Sequence, residues 1–229
     1  MNGVFFAPFE HTTDNEAANR RITERLSHAG IPVVLRDRDI CPFPRRSDYD
    51  LAGIDNVAGG YLRAEHLIKL GARRLACFTC PYSATTVESR NPGVCSAMTH
   101  KILIPQDFLH TGDPTDQKFV RNFISGQSHD AVICTNDHTS GHLLQTLTRV
   151  GIRIPQDLRL GSFDDLRFAT LLSVLPTTIH QPCRNIALPA FNAMRERIQE
   201  STLPPRTLLL APRLVVRESC GAYLPRRAS

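Results

Sequence analysis

The sequence predicts an α/β protein built on parallel sheets. Three observations carry this. Apolar runs of strand length alternate with amphipathic segments of helix length along all 229 residues. The strand-length runs are apolar at successive rather than alternate positions, the pattern of strands covered on both faces. Strands separated by helices pair in parallel through right-handed crossovers, because only a connection of that length returns the chain to the same end of a sheet. No internal repeat interrupts the pattern.

The elements follow in chain order. GVFFAP (3–8) is a short buried strand. Asn15 to Ala29 is helical, with Ile22 and Leu26 four apart, and Gly30 stops it. IPVVLRD (31–37) is the next strand. CPFPRRSDYD (41–50), rich in proline and charge, is the clearest loop and a candidate connection between two lobes. Asp55 and Asn56 can cap a helix running to Leu70, with Gly71 as its stop. RLACFT (74–79) is a strand, Ser89 to Thr99 a short helix, and 102–112 contains a weak strand. Thr115 to Ser125 is helical, with Phe119, Phe123 and Ile124 at core spacing. DAVICT (130–135) is a strand; His138 to Val150 is a helix ended by Gly151. DLRLGSF (157–163) is a strand, Leu166 to Leu172 a helix, and TTIH (177–180) extended. Cys183 to Glu200 is a long helix. RTLLLAP (206–212) and RLVVRES (213–219) close the chain as extended segments.

The composition bounds the function classes. A hydrophobic fraction of 41% and a charged fraction of 21% are ordinary for a globular domain. No run approaches the roughly 20 apolar residues of a membrane helix. The N-terminal stretch has no basic region ahead of an apolar one, so a cytoplasmic protein without membrane association is expected. Seven cysteines at irregular spacing argue against a disulfide framework. Cys77-x-x-Cys80 is the one redox- or metal-like spacing, and the second pair that a zinc ribbon needs is missing. It reads as a reduced structural pair. The net charge of +5 comes with basic pairs at Arg20-Arg21, Arg45-Arg46, Arg73-Arg74 and Arg226-Arg227, dispersed rather than gathered into a stripe for nucleic acid.

Catalytic constellations are poor. There is no nucleophile elbow of the G-x-S-x-G kind, no phosphate loop, and no dinucleotide fingerprint after the first strand. His138 and His142 lie four apart, but Thr139 stands where a metalloprotease helix carries glutamate, so they read as a pair on an exposed face. No cofactor and no metal are expected.

Ligands of open parallel sheets bind at the carboxyl ends of the strands. Asp37 follows PVVLR, a loop leading to Arg90 follows RLACFT, Asn136 and Asp137 follow AVICT, Asp164 and Asp165 follow LRLGSF, and Gln181 follows TTIH. Carboxylates, carboxamides and one guanidinium suit a ligand with many hydroxyls, such as a sugar or nucleoside. Asp37, Arg90, Asn136, Asp164 and Gln181 are the candidate ligand-binding residues. Asp137 and Asp165 read instead as caps of the helices they precede.

Three ordered blocks resemble the LacI/GalR family of bacterial transcription regulators. These are DNVAGGYLRAEHLIKLGARRLACF (55–78), AVICTNDHTSGHLLQTLTRVGIRIPQDLRLGSFDDLRFATLLSVLPTTIHQP (131–182) and LVVRESCG (214–221). Within the second block, Asn-Asp follows a strand, Gly-x-x-x-Pro-x-Asp precedes the next, and Phe-Asp-Asp and Thr-Thr-x-x-Gln-Pro follow. Arg90-Asn91-Pro92-Gly93 keeps the family's Arg-x-x-Gly spacing.

The resemblance implies two α/β lobes of type I periplasmic-binding-protein kind. The first would comprise 1–54 and 183–206 and the second 55–182 and 207–229, with crossovers near Ile54, Gln181–Cys183 and Pro204–Leu208. It begins at what resembles the family's third strand, which implies an incomplete first lobe and no DNA-binding headpiece in this chain. It also implies a sugar-like effector between the lobes, DNA contact only through a headpiece, and a homodimer.

Some residues depart from the family pattern. Ser162 replaces a glycine before Phe-Asp-Asp, while Pro114 and Ile54 stand near positions that often carry stacking aromatics. The alternatives are a sugar-processing enzyme that uses Asp37 and Asp164 as acid and base, and a transport solute-binding protein.

Overall fold

The computed structural model describes residues 2–10, 12–103, 107–126 and 129–225. The chain forms two compact units. One comprises Met1–Asn56, Tyr82–Arg90 and Pro182–Pro212; the other comprises Val57–Pro81, Asn91–Gln181 and Arg213–Ser229.

The first unit holds a four-stranded sheet in the order β1-β2-β3-β9, formed by β1 (Val4–Phe6), β2 (Val33–Arg36), β3 (Asp50–Ile54) and β9 (Thr207–Leu210). All three pairings are parallel, as the alternation of strands and helices predicts. Successive side chains of a strand point to opposite faces, and both faces are covered. Val34 and Ala52 pack under Ile186, Ala190, Ala193 and Met194 of α6 (Cys183–Gln199). Val33, Leu35 and Leu51 pack on the other face with Leu26 of α1 (Asn15–His28). Gly30 ends α1 in the left-handed conformation, at φ 65°.

β3 has no counterpart among the expected elements. Asp50 and Gly53 are poor strand formers, yet all five of its residues are buried between two neighbours. Asp50 is accommodated because its carboxylate accepts the Arg206 backbone N–H at 2.8 Å and Arg197 Nη2 at 3.0 Å. Burial alone would raise its pKa; the hydrogen bonds from Arg206 and Arg197 outweigh that and hold it below the usual carboxylate value. Consequently 41–50 is not a connection between units. It joins β2 to β3, two adjacent strands of one sheet.

The second unit holds a six-stranded sheet in the order β10-β8-β7-β6-β4-β5. Its strands are β4 (Leu75–Thr79), β5 (Leu109–Thr111), β6 (Ala131–Cys134), β7 (Arg159–Asp164), β8 (Thr177–His180) and β10 (Arg213–Val215). Four pairings are parallel; β10 runs antiparallel to β8 at one edge. Leu75, Cys77, Ala131 and Ile133 face a cluster with Ala64, Leu67 and Ile68 of α2 (Asn56–Lys69) and Val94, Ala97 and Met98 of α3 (Thr85–His100). Ala76, Phe78, Val132 and Cys134 face the opposite cluster, with Val120 and Phe123 of α4 (Gln117–Gly126) and Leu143, Leu144 and Leu147 of α5 (Asp137–Arg149). The uninterrupted apolar runs thus serve two cores at once.

Two elements differ from expectation, and a third lies where it was expected. α3 begins at Thr85, four residues ahead of the expected start at Ser89, and ends at His100. The segment after β7 is a 3-10 turn, Arg167–Leu171, in place of an α-helix. The weak strand within 102–112 is Leu109–Thr111, and 104–106 lie outside the described residues, as does the Arg226-Arg227 pair.

Candidate ligand-binding site

The first unit presents its polar groups where β2 and β3 end. Asp37 follows β2 in the left-handed region at φ 69°, and its N–H donates to the Ala52 carbonyl at 2.8 Å. Gly53 lies opposite, where a Cβ would sit 3.1 Å from the Asp37 carbonyl oxygen, a tight approach that the absence of a side chain relieves. The Asp37 carboxylate pairs with Arg38 at 2.9 Å, and Arg38 also reaches Glu10 at 2.7 Å.

Arg90 is 4% exposed. Its Nε donates to Asn56 Oδ1 at 2.9 Å, and Asn56 Nδ2 donates in turn to the Ile54 carbonyl at 3.2 Å. The end of β3 therefore aims the guanidinium. Sequence reasoning gave Asn56 only a capping role; its part in orienting Arg90 was hidden because β3, the strand it follows, was not recognised.

The second unit gathers Asn136, Asp164 and Gln181 behind β6, β7 and β8. Asn136 is the N-cap of α5, its Oδ1 accepting the Thr139 N–H at 2.8 Å. Asp164 has φ 106° and Asp165 φ 61°, two successive left-handed residues that turn the chain away from the sheet. The Gln181 N–H donates to the Asp164 carbonyl at 3.3 Å, which places these two residues side by side.

The capping roles expected of Asp137 and Asp165 are not the ones they have. Asp137 follows the N-cap and is fully buried. Its carboxylate accepts Ser162 Oγ at 2.6 Å, Thr178 Oγ1 at 3.0 Å and the Leu166 N–H at 2.7 Å. Burial pushes this carboxyl above its ordinary pKa, with the three hydrogen bonds pulling the other way. Asp137 thus supplies the acceptor for Leu166 that Asp165 was expected to supply. Asp165 instead pairs with Arg217 and with His180 Nδ1, the latter at 2.8 Å. Burial opposes its charge, but Arg217 and His180 together hold its pKa below normal.

Ser162, the departure from the family's glycine, contributes a hydroxyl that bonds Asp137 and also Ser140 Oγ at 3.1 Å.

His138 and His142 are both exposed, as their spacing on the helix suggested. Among the described residues no group of three or more His, Cys, Asp or Glu is placed to hold a metal. The seven cysteines are free. Burial pushes the Cys77 thiol up to about 12, so it stays protonated near neutral pH. Among the described residues no helix is long and apolar enough to cross a membrane.

The comparisons with known proteins agree with this architecture. The periplasmic binding protein-like domain matches residues 64–220. The HTH-type transcriptional repressor PurR of Escherichia coli O1:K1 is 31% identical over 195 residues, covering 82% of this chain and 56% of the repressor. Its counterpart in Vibrio vulnificus is 30% identical over 208 residues, covering 86% of this chain and 61% of the repressor. The chain therefore spans little more than half the length of these relatives.

Among solved structures, the complex of the transcriptional regulator CelR with cellobiose superposes at a TM-score of 0.80, with 24% identity, covering 96% of this chain and 66% of that one. A LacI family regulator from Enterococcus faecalis with bound ribose superposes at 0.75, with 21% identity, covering 96% and 77%. Matching family profile, repressor relatives and shared fold lead to one assignment: the chain belongs to the LacI/GalR family and is its periplasmic-binding-protein-like effector-binding domain.

Proposed function

We propose that this chain senses a small polyhydroxyl ligand, a sugar or related metabolite, and carries out no chemistry of its own. Asp37, Arg90, Asn136, Asp164 and Gln181 are the residues proposed to supply the ligand's hydrogen bonds. Ligand binding shifts the regulator between DNA-competent and DNA-incompetent states.

The observation that carries the reading is Arg90. It is a buried guanidinium oriented by Asn56 at the carboxyl end of a parallel sheet, where such folds bind ligands. A forked donor of this kind grips two hydroxyls or a carboxylate. The repressor relatives and the sugar-bound neighbours favour a sensor over the enzyme and transport alternatives.

We include a second copy of the chain among the partners, because Leu188, Phe191 and Ile198 of α6 are exposed along one side of that helix. Sedimentation of the purified chain measures this directly.

A thermal-shift screen against monosaccharides, disaccharides and nucleosides, followed by calorimetry, tests the reading. A stabilising ligand should bind without turnover, and Arg90→Ala should weaken it by about 2–4 kcal/mol, roughly 30- to 1000-fold. Unchanged affinity in Arg90→Ala removes that residue from the site. Product formation from a bound sugar replaces the sensor with an enzyme.

A further inference from the structure

His138 and His142 take no part in the ligand site proposed above, yet they are arranged as a pair. Both project from the exposed face of α5, one turn apart, with ring centroids 5.2 Å from each other. That separation has a chemical meaning. A zinc-like ion sits about 2.0–2.1 Å from an imidazole nitrogen, hence about 3.2 Å from the ring centre, and two imidazoles at a tetrahedral angle around it have centres about 5.2 Å apart.

His138 is also braced. Its ring meets Phe168 edge-on at 5.6 Å, so part of the ordering that chelation demands is already in place. The two histidines line one end of a 660 Å³ groove that also includes Phe168, Leu171 and Leu172.

We propose that His138 and His142 form a two-imidazole chelate for a late first-row divalent transition metal, with water completing the coordination shell. Neutral imidazole suits nickel, copper and zinc, with copper bound most tightly of the three.

Two protein ligands fall short of the four that a structural site uses, and loading would fix the first turns of α5 just after Asn136. Binding uses the lone pair of each neutral ring, so metal and protons compete for the same nitrogens. The inference does not depend on the identity of the effector or on the sensor reading.

Calorimetric titration of the whole chain with Ni²⁺ provides the test, repeated on His138→Ala, His142→Ala and, as a thiol control, Cys183→Ala. The expected result is one ion per chain, weakened at least tenfold in each histidine variant and unchanged in the cysteine variant. All proteins should melt within a degree or two of the wild type without metal. The Co²⁺-loaded chain should show nitrogen and oxygen ligation without a thiolate charge-transfer band. Equal Ni²⁺ affinity in the wild type and both histidine variants, a dominant thiolate band, or no binding at all overturns the proposal.

Discussion

The carboxylate of Asp137 accepts the hydroxyl of Ser162 at 2.6 Å, and both side chains are fully buried. Thr178 and the Leu166 N–H converge on the same group, so one carboxylate joins β7, β8 and the turn after β7 to the start of α5. Asp137→Ala leaves three donors in a dry site and should cost about 2–4 kcal/mol in urea unfolding. The pH dependence has a definite sign. A carboxyl whose folded pKa is raised is disfavoured once ionised, so its contribution declines as pH rises from 3.8 through the folded value. Asp137→Asn does not titrate. Its cost relative to wild type should therefore be larger at pH 4 than at pH 7, and an equal cost at both would show that burial does not govern this group.

Adjacent carboxylates at the end of β7 should separate cleanly. Asp164 has φ 106°, which costs an L-residue of order 1–3 kcal/mol. Asp164→Gly should hold or raise the melting temperature while abolishing ligand binding. Asp165→Ala should lower stability by about 1–3 kcal/mol, because it leaves Arg217 and His180 without their acceptor, and should largely spare binding. Retained binding in Asp164→Gly withdraws that residue from the site.

His110 and His129 form a pair within the second unit, with ring centroids 5.1 Å apart and both packed against Phe123. The Nε2 atom of each is buried without a hydrogen-bond partner. Burial is the chief cause lowering both pKa values. Asp107 partly offsets it at His110; at His129 the neighbouring His110 and Arg74 add to it while Asp130 opposes. Because the unfolded chain binds these protons more readily, stability should fall as pH drops below the ordinary value of 6.5. His129→Phe, which keeps the stack on Phe123, should flatten this acid limb between pH 7 and 5. An unaltered slope assigns the loss elsewhere.

Gly93 sits where α3 crosses α2. A Cβ there would lie 1.9 Å from the Val57 carbonyl oxygen and 2.6 Å from the Tyr61 nitrogen, both backbone atoms that cannot swing aside. Gly93→Ala should therefore cost about 3 kcal/mol, the upper range for overpacking. Because Gly93 lies one turn from Arg90, a concurrent loss of ligand affinity is also expected. Wild-type stability would mean the helices separate freely.

The parallel α/β framework and most element positions were legible because buried parallel strands declare themselves as apolar runs, and because Gly30, Gly71 and Gly151 end their helices at positive φ. β3 was not legible. Asp50 and Gly53 argue against a strand locally, and the arginines that permit Asp50 come from Arg197 and Arg206, far along the chain. The first turn of α3 was not legible either: the helix begins at Thr85, ahead of the expected Ser89, while its end at His100 lies one residue from the expected one. The candidate ligand residues could be named from their places after strands, since that depends only on strand order. The partners of Asp137 and Asp165 could not, because adjacent carboxylates at a turn look alike until Ser162, Thr178 and Arg217 are brought to them.

The pairing of β9 with β3 and of β10 with β8 bears on how the chain is made. Leu51 finds its partner at Thr207, and His180 is edged by Arg213. On the ribosome, the early strands of both sheets emerge long before the segments that pair with them, so each waits with an open edge until β9 and β10 are synthesised. A stop codon shortly before residue 207 would remove one strand from each sheet. Such a product should be captured by chaperones or aggregate, and neither unit can be rescued by cutting the gene at a single point.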